Sequence, residues 1–199
     1  MKRLVTLGII SLSAIVLVSC SNSKTDKTTK SSSTKITKNS TTTSSSTASD
    51  NSSDVFVKNA SDSVFTDNVL KGNSYSIKIT DYKIIQPGQE GNDSDKPIIV
   101  FFFDTLLASD YDNSTPITPS TAWILNFKAV QDNDSNKVNT LENAIYSDEE
   151  LEKNSYAEIK PGGTVKSAEA YILSDTTTTV KLIAETIDHA MGEQTYKID

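Results

Sequence analysis

Ile98-Ile99-Val100-Phe101-Phe102-Phe103 is the stretch on which the fold turns. Three β-branched and three aromatic residues run without interruption after Pro97 and a polar tract containing Pro87-Gly88 and Gly91-Asn92. A short run of that composition bounded by turn residues predicts a strand, and its continuity predicts burial on both faces. A central strand over 98–103 is therefore expected. Upstream, Tyr75, Ile77 and Ile79 alternate with Ser76, Lys78 and Thr80, the period of a half-buried strand. Residues 82–85 continue it beyond a bulge at Thr80-Asp81, and residues 86–96 form a loop.

Downstream, residues 106–119 start apolar, turn polar from Ser109 and read as a second long loop. Trp123, Leu125, Phe127 and Ala129 alternate with Ile124, Asn126, Lys128 and Val130, which predicts another strand. Residues 132–136 form a polar turn, 148–153 a short exposed helical turn, and 156–160 alternate again before a tight turn at Pro161-Gly162-Gly163. Residues 165–173 and 178–184 predict a strand pair across Ser174-Asp175, and 194–198 a last strand. Phe101 to Phe103, Trp123, Phe127 and Tyr171 fall on strand periods and are expected in the core. Tyr111 and Tyr146, in polar surroundings, are expected as exposed contact residues. About seven short strands with almost no helical period describe an all-β, antiparallel sandwich.

Before this body the chain changes character twice. Met1-Lys2-Arg3 is a basic head, residues 4–18 are an apolar run without charge, and Leu17-Val18-Ser19-Cys20 closes it. That order is a secretory signal, and about 15 apolar residues fall short of a bilayer span. The last four resemble a bacterial lipobox, which implies that Cys20 becomes a lipidated, palmitate-bearing N-terminus tethered to the membrane. Residues 21–54 are nearly all Ser, Thr, Asn and Lys, with Ile36 the sole large apolar residue. Such a tract cannot bury enough surface to offset the entropy of ordering, so a disordered linker is expected, with a reach of roughly 30–35 Å. The expected organisation is a signal peptide over 1–19, lipidated Cys20 and linker over 20–60, and a sandwich over 61–199.

Charge and cysteine content agree with that division. All five linker lysines precede residue 39, whereas the chain after residue 50 carries 24 acidic against 12 basic side chains. An acidic domain repels the phosphate backbone, so nucleic acid is not an expected partner. Cys20 is the single cysteine, so the sandwich has no disulfide and thiol catalysis has no nucleophile.

The order of motifs carries a resemblance. A lipobox, a Ser/Thr linker, an alternating strand ending near Ile84 and the apolar strand at 98–103 come first. Ala122-Trp123, Phe127, Gln131-Asp132, and Ile159-Lys160-Pro161-Gly162-Gly163 before Ala170-Tyr171 complete it. This resembles a family of domains of unknown function on Gram-positive cell-surface lipoproteins, related to the immunoglobulin-like sandwich of a secreted mycobacterial immunoprotein. The resemblance covers about residues 65–185 and implies an immunoglobulin-like fold and an extracellular address, with no active site. Asp104-Thr105-Leu106-Leu107 departs from its pattern.

The chemistry of the residues points the same way. His189 is the sole histidine, lies near the end of the chain and has no G-x-S-x-G beside it; it reads as an exposed polar residue. Oxygen ligands for calcium could come from residues 90–95, 110–114 or 132–136. The last starts as D-x-D-x-N but has Lys137 where an EF-hand loop needs glycine. No metal or cofactor is expected. Recognition sits preferentially on loops held by a rigid scaffold, so the expectation is a non-catalytic binding module on the extracellular face of the membrane. It would contact an envelope protein or glycan through its long loops, with Asp110, Tyr111 and Asp112 as the contact residues. The alternatives are an accessory wall-glycan hydrolase using an unrecognised carboxylate pair and a ligand-binding lipoprotein serving a transporter.

Overall fold

A computed structural model of the chain describes residues 55–198; the expected signal peptide, Cys20 and most of the linker lie outside them. Ten strands run in the order β1 (Val64–Thr66), β2 (Val69–Lys71), β3 (Tyr75–Ile85), β4 (Ile98–Leu107), β5 (Phe127–Gln131), β6 (Asn139–Thr140), β7 (Asn143–Ala144), β8 (Thr164–Ile172), β9 (Val180–Glu185) and β10 (Ala190–Tyr196). Helix α1 (Pro119–Asn126) precedes β5 and α2 (Glu149–Ser155) precedes β8. All pairings are antiparallel. They build a six-stranded sheet ordered β1-β2-β3-β4-β8-β7 and a four-stranded sheet ordered β10-β9-β5-β6. The two inner faces share one core, so the molecule is the antiparallel sandwich that the sequence leads to.

Strand β4 is central, between β3 and β8, and is buried on both faces. Ile99, Phe101, Phe103 and Leu107 enter the core between the sheets, while Ile98 and Val100 anchor a smaller cluster with Ile85 and Ala170 on the outer side. The bulge in β3 sits where the alternation breaks. Ile79 opposes Phe103 and Asp81 opposes Phe102, leaving Thr80 as the extra residue, whose hydroxyl donates to the Phe102 carbonyl at 3.1 Å. One extra residue reverses the parity, so Ile77 and Ile79 before it and Tyr82 and Ile84 after it all face the main core.

Four sequence expectations need correction. Strand β4 does not end at Phe103 but continues to Leu107, because Thr105 and Leu107 remain buried opposite Val165 and the β8 edge. The alternation from Trp123 starts in a helix. Thr118 is its N-cap, accepting from the Thr121 N–H at 3.2 Å, with Pro119 at the first position. A helix over 119–126 leaves Ile124 and Leu125 59% and 63% exposed, and buries Trp123 completely. Residues 156–160 form no strand; Ile159 is buried there by a hydrogen bond from its N–H to the Ile117 carbonyl at 2.9 Å. Finally, β8 and β9 are not a hairpin but lie in different sheets.

That last crossing has an identifiable holder. Gln131, fully buried at the end of β5, accepts at Oε1 from the Ser174 N–H and hydroxyl, both at 2.8 Å. Its Nε2 donates to the carbonyls of Asp175 at 3.1 Å and Thr178 at 2.7 Å. The Asp175 carboxylate is held well below its ordinary range by the Thr178 backbone N–H, then by the Asn133 side chain and the Thr177 N–H. One side chain of the four-stranded sheet thus closes the polar backbone of the segment arriving from the six-stranded one. Gln131→Ala would leave those groups unpaired, and we expect a loss of about 2–4 kcal/mol in urea unfolding, against less than about 0.5 kcal/mol for the exposed Asn136→Ala.

Candidate functional site

The two long loops have different fates. The loop over 86–96 is folded down on the outer face of the six-stranded sheet. Buried Asn92 donates to the carbonyls of Ile85 at 3.0 Å and Lys96 at 2.9 Å. Gly91 lies so close to the Tyr146 ring that a Cβ would come within 2.4 Å of it, and φ there is +89°. Tyr146 in turn packs edge-on against Phe102, with centroids 5.5 Å apart, and is half-buried rather than exposed. This loop is a cover for the outer apolar cluster.

The loop after Leu107 borders open space instead. Beyond the covered cluster, the outer face of β3, β4 and β8 carries a row of charge: Lys78 opposes Asp104, and Asp104 opposes Lys166, with Val69 of β2 beside Lys78. Asp104 Oδ1 is shielded from solvent and has no hydrogen-bond partner among the described residues. A groove of about 1680 Å³ runs over this region, lined by Lys71, Lys78, Asp104 and Leu106 and reaching Asp110, Tyr111 and Asp112 at its rim. The structure therefore brings the three sequence-predicted contact residues to this groove.

Within that loop each side chain has a distinct role. The Ala108 N–H is held by the Ser74 carbonyl at 2.9 Å, which ties the start of the loop to β3. Tyr111 is half-buried against the main core, and its hydroxyl donates to the Thr115 carbonyl at 2.8 Å. Asp112 accepts from the Ser114 N–H at 2.9 Å, and that backbone bond holds its carboxyl below the ordinary range. Asn113 adopts a φ of +55°, which an Asn tolerates better than most residues. Asp110 and Asp112 are exposed, so the loop presents two carboxylates around a fixed aromatic ring.

At the other margin of the groove the chain is already attached. Ser76 donates to the Val55 carbonyl at 2.6 Å, and the Val57 N–H donates to the Gly72 carbonyl at 3.1 Å. The hydrogen-bonded body thus begins by Val55, ahead of the boundary read at residue 60. That contact depends on β2 and β3 being in place, and no local pattern in the sequence announces it.

Among the described residues no three His, Cys, Asp or Glu side chains converge as metal ligands. Residues 132–136, one candidate calcium cluster, instead bond locally and to the crossing segment: Asn133 donates to Ser174 at 2.7 Å and to Asp175 at 2.6 Å. One carboxyl is tuned upward. Glu169 faces the core opposite Phe101, in the part of β8 against which α1 and α2 pack, and burial raises it to about 7. It has no ion-pair or hydrogen-bond partner among the described residues, and sequence spacing gave no sign of it.

With the geometry in view, the chain is defined as a β-sandwich module with a loop-rimmed groove on one sheet. It belongs to the family DUF5067, a domain of unknown function, whose model matches residues 46–186. No curated protein matches it. A solved structure from Staphylococcus aureus subsp. aureus NCTC 8325, described as a lipoprotein by assignment rather than by measurement, is 20% identical. It aligns with a TM-score of 0.56 over 67% of this chain and 90% of its own. An NMR structure of an Enterococcus faecalis protein is 14% identical, with a TM-score of 0.51 over 69% of this chain and 94% of its own. At such identities the likeness is one of fold.

The Glu169 environment sets a pH dependence. A carboxyl raised from 4.5 to about 7 binds its proton more tightly when folded. Its stabilising effect is complete below about pH 4.5 and is lost as pH rises towards 7. Glu169→Gln should then match the parent in melting temperature at pH 4 and exceed it by roughly 2–4 °C at pH 8, read by thermal melts at both pH values.

Proposed function

We propose that this protein is a lipoprotein of the cell envelope, cut before Cys20, anchored by lipid on that residue, and serving as a non-catalytic recognition module. Export and lipidation rest on the basic head, the short apolar run and the cysteine that follows it. The assignment of the Staphylococcus aureus relative as a lipoprotein agrees with this. A diacylglyceryl-cysteine supplies two acyl chains, enough for stable anchoring. The observation that carries recognition is the placement of Asp110, Tyr111 and Asp112 beside the groove, on a loop tied at its start to the Ser74 carbonyl and ending in the Thr118 cap of α1. Pinned loops lose little entropy when they bind, and a fixed aromatic beside carboxylates suits a polar, partly apolar surface on an envelope protein or glycan.

Two measurements test this. Cys20→Ser should move the chain from the membrane fraction to the soluble fraction, and retention in the membrane would remove the lipid anchor from the account. A photo-crosslinking residue at Asp112, exposed at the groove rim, should give one dominant envelope adduct in cells. The same residue at Glu150, on the exposed face of α2, should give none; equal labelling at both positions would argue against a recognition face.

A further inference from the structure

A second, smaller concavity of about 330 Å³ lies on the other side of the turn over 72–75, sharing Asn73 and Ser74 with the groove. Buried Leu70 and Met191 contribute apolar lining, and no Lys, Arg, Asp or Glu lines it. Its polar side chains have hydrogen-bonding capacity to spare. His189, half-buried rather than exposed, places Nε2 at 2.9 Å from the Ser63 carbonyl. A carbonyl can only accept, so Nε2 carries a proton, and Nδ1 has no partner among the described residues. Asn126, 8% exposed, donates from Nδ2 to the Tyr75 hydroxyl and to the Ala122 carbonyl, each at 2.7 Å. Its Oδ1 has no partner among the described residues. Tyr75 accepts that bond and retains its own hydroxyl hydrogen; burial raises its pKa, so it stays a donor.

The geometry points to this pocket as a binding site for one neutral sugar ring. A charged ligand would be left without a counter-charge, which is costly when desolvated. A volume of about 330 Å³ has room for one sugar ring. Such a ring carries hydroxyls on its perimeter for Tyr75, Asn126 and His189, with Leu70 and Met191, 2% and 6% exposed, forming only a small apolar part of the lining. These three residues come from the start of β3, the end of α1 and the β9–β10 turn, and all line the pocket, with the Tyr75 hydroxyl and the Asn126 amide adjacent at 2.7 Å. An extended peptide would instead need a row of backbone partners along one strand edge. This site goes beyond the groove and does not rest on the reading given to it.

The test is a titration of the full chain with N-acetylglucosamine, and separately glucose, followed by NMR of the His189 ring and the Met191 methyl. At least one sugar should give a saturable shift with a Kd on the order of 1–10 mM. Ser61→Trp, at an exposed position on the pocket wall, and His189→Phe should each weaken binding about tenfold or more, with Lys71→Glu in the groove leaving it unchanged. No saturable shift up to about 100 mM for either sugar would overturn the proposal. So would undiminished binding in Ser61→Trp, loss with Lys71→Glu, or a tighter response to acetate than to both sugars. The groove reading is tested by crosslinking at Asp112 and can fail or stand independently.

Discussion

Trp123 is fully buried, so its indole N–H has to find an acceptor inside the protein. The Tyr171 hydroxyl provides it at 2.8 Å, while burial holds that phenol far above its ordinary pKa. The bond joins α1 to β8 across the core, and the rings of Phe103, Phe127 and Phe101 complete the surroundings, with centroids 4.4, 4.6 and 5.8 Å from the indole. Much of the architecture follows from this cluster. Because Trp123 pins α1 over β8, the chain leaves the helix at Asn126 and enters β5 in the opposite sheet. The last sheet-to-sheet crossing, from β8 to β9, is closed by Gln131 at the far end of β5. One short strand therefore has its start set by an aromatic cluster and its end by a polar clamp.

This arrangement divides the surface into spent and available parts. On the outer face of the six-stranded sheet, the loop over 86–96 and Tyr146 cover the apolar cluster around Ile98 and Val100. The remainder of that face holds the groove, lined by Lys71, Lys78 and Asp104 and bordered by the 110–112 loop. A groove floored by charges of both signs suits a polar partner better than a purely anionic one, even though the domain as a whole is acidic. Recognition and stability are thus assigned to different loops, for a physical reason: a loop that buries apolar surface and a carboxamide cannot also rearrange around a partner without losing both.

The small pocket beside the 72–75 turn differs in kind from the groove. No Lys, Arg, Asp or Glu lines it, and backbone carbonyls hold one side of Asn126 and of His189 while Asn126 itself holds the Tyr75 hydroxyl. Asn126 is held by the Ala122 carbonyl within its own helix and His189 by Ser63 across the sandwich, so both side chains are oriented before any ligand arrives.

Local patterns determined a good deal by themselves. Period and composition located β3 with its bulge at Thr80-Asp81, the central β4, the turn at Pro161-Gly162 and the α2 turn; they also put the aromatics of β4, Trp123, Phe127 and Tyr171 in the core. These features are legible because they depend on alternation, β-branching and turn chemistry within a few residues. Helix α1 was hidden because eight residues with apolar side chains at 122–125 fit a strand period as well as a helix, although Thr118-Pro119 was a start signal in plain sight. Tertiary structure alone decided that β8 and β9 part into different sheets, since Gln131 acts across 43 positions of chain to reach Ser174. It likewise set the burial of Glu169 and the convergence of Tyr75, Asn126 and His189, which lie on separate segments and meet only when both sheets are closed. Contacts of such long separation leave no local period, and for this reason the scaffold could be read from the sequence while the pocket and the buried carboxyl could not.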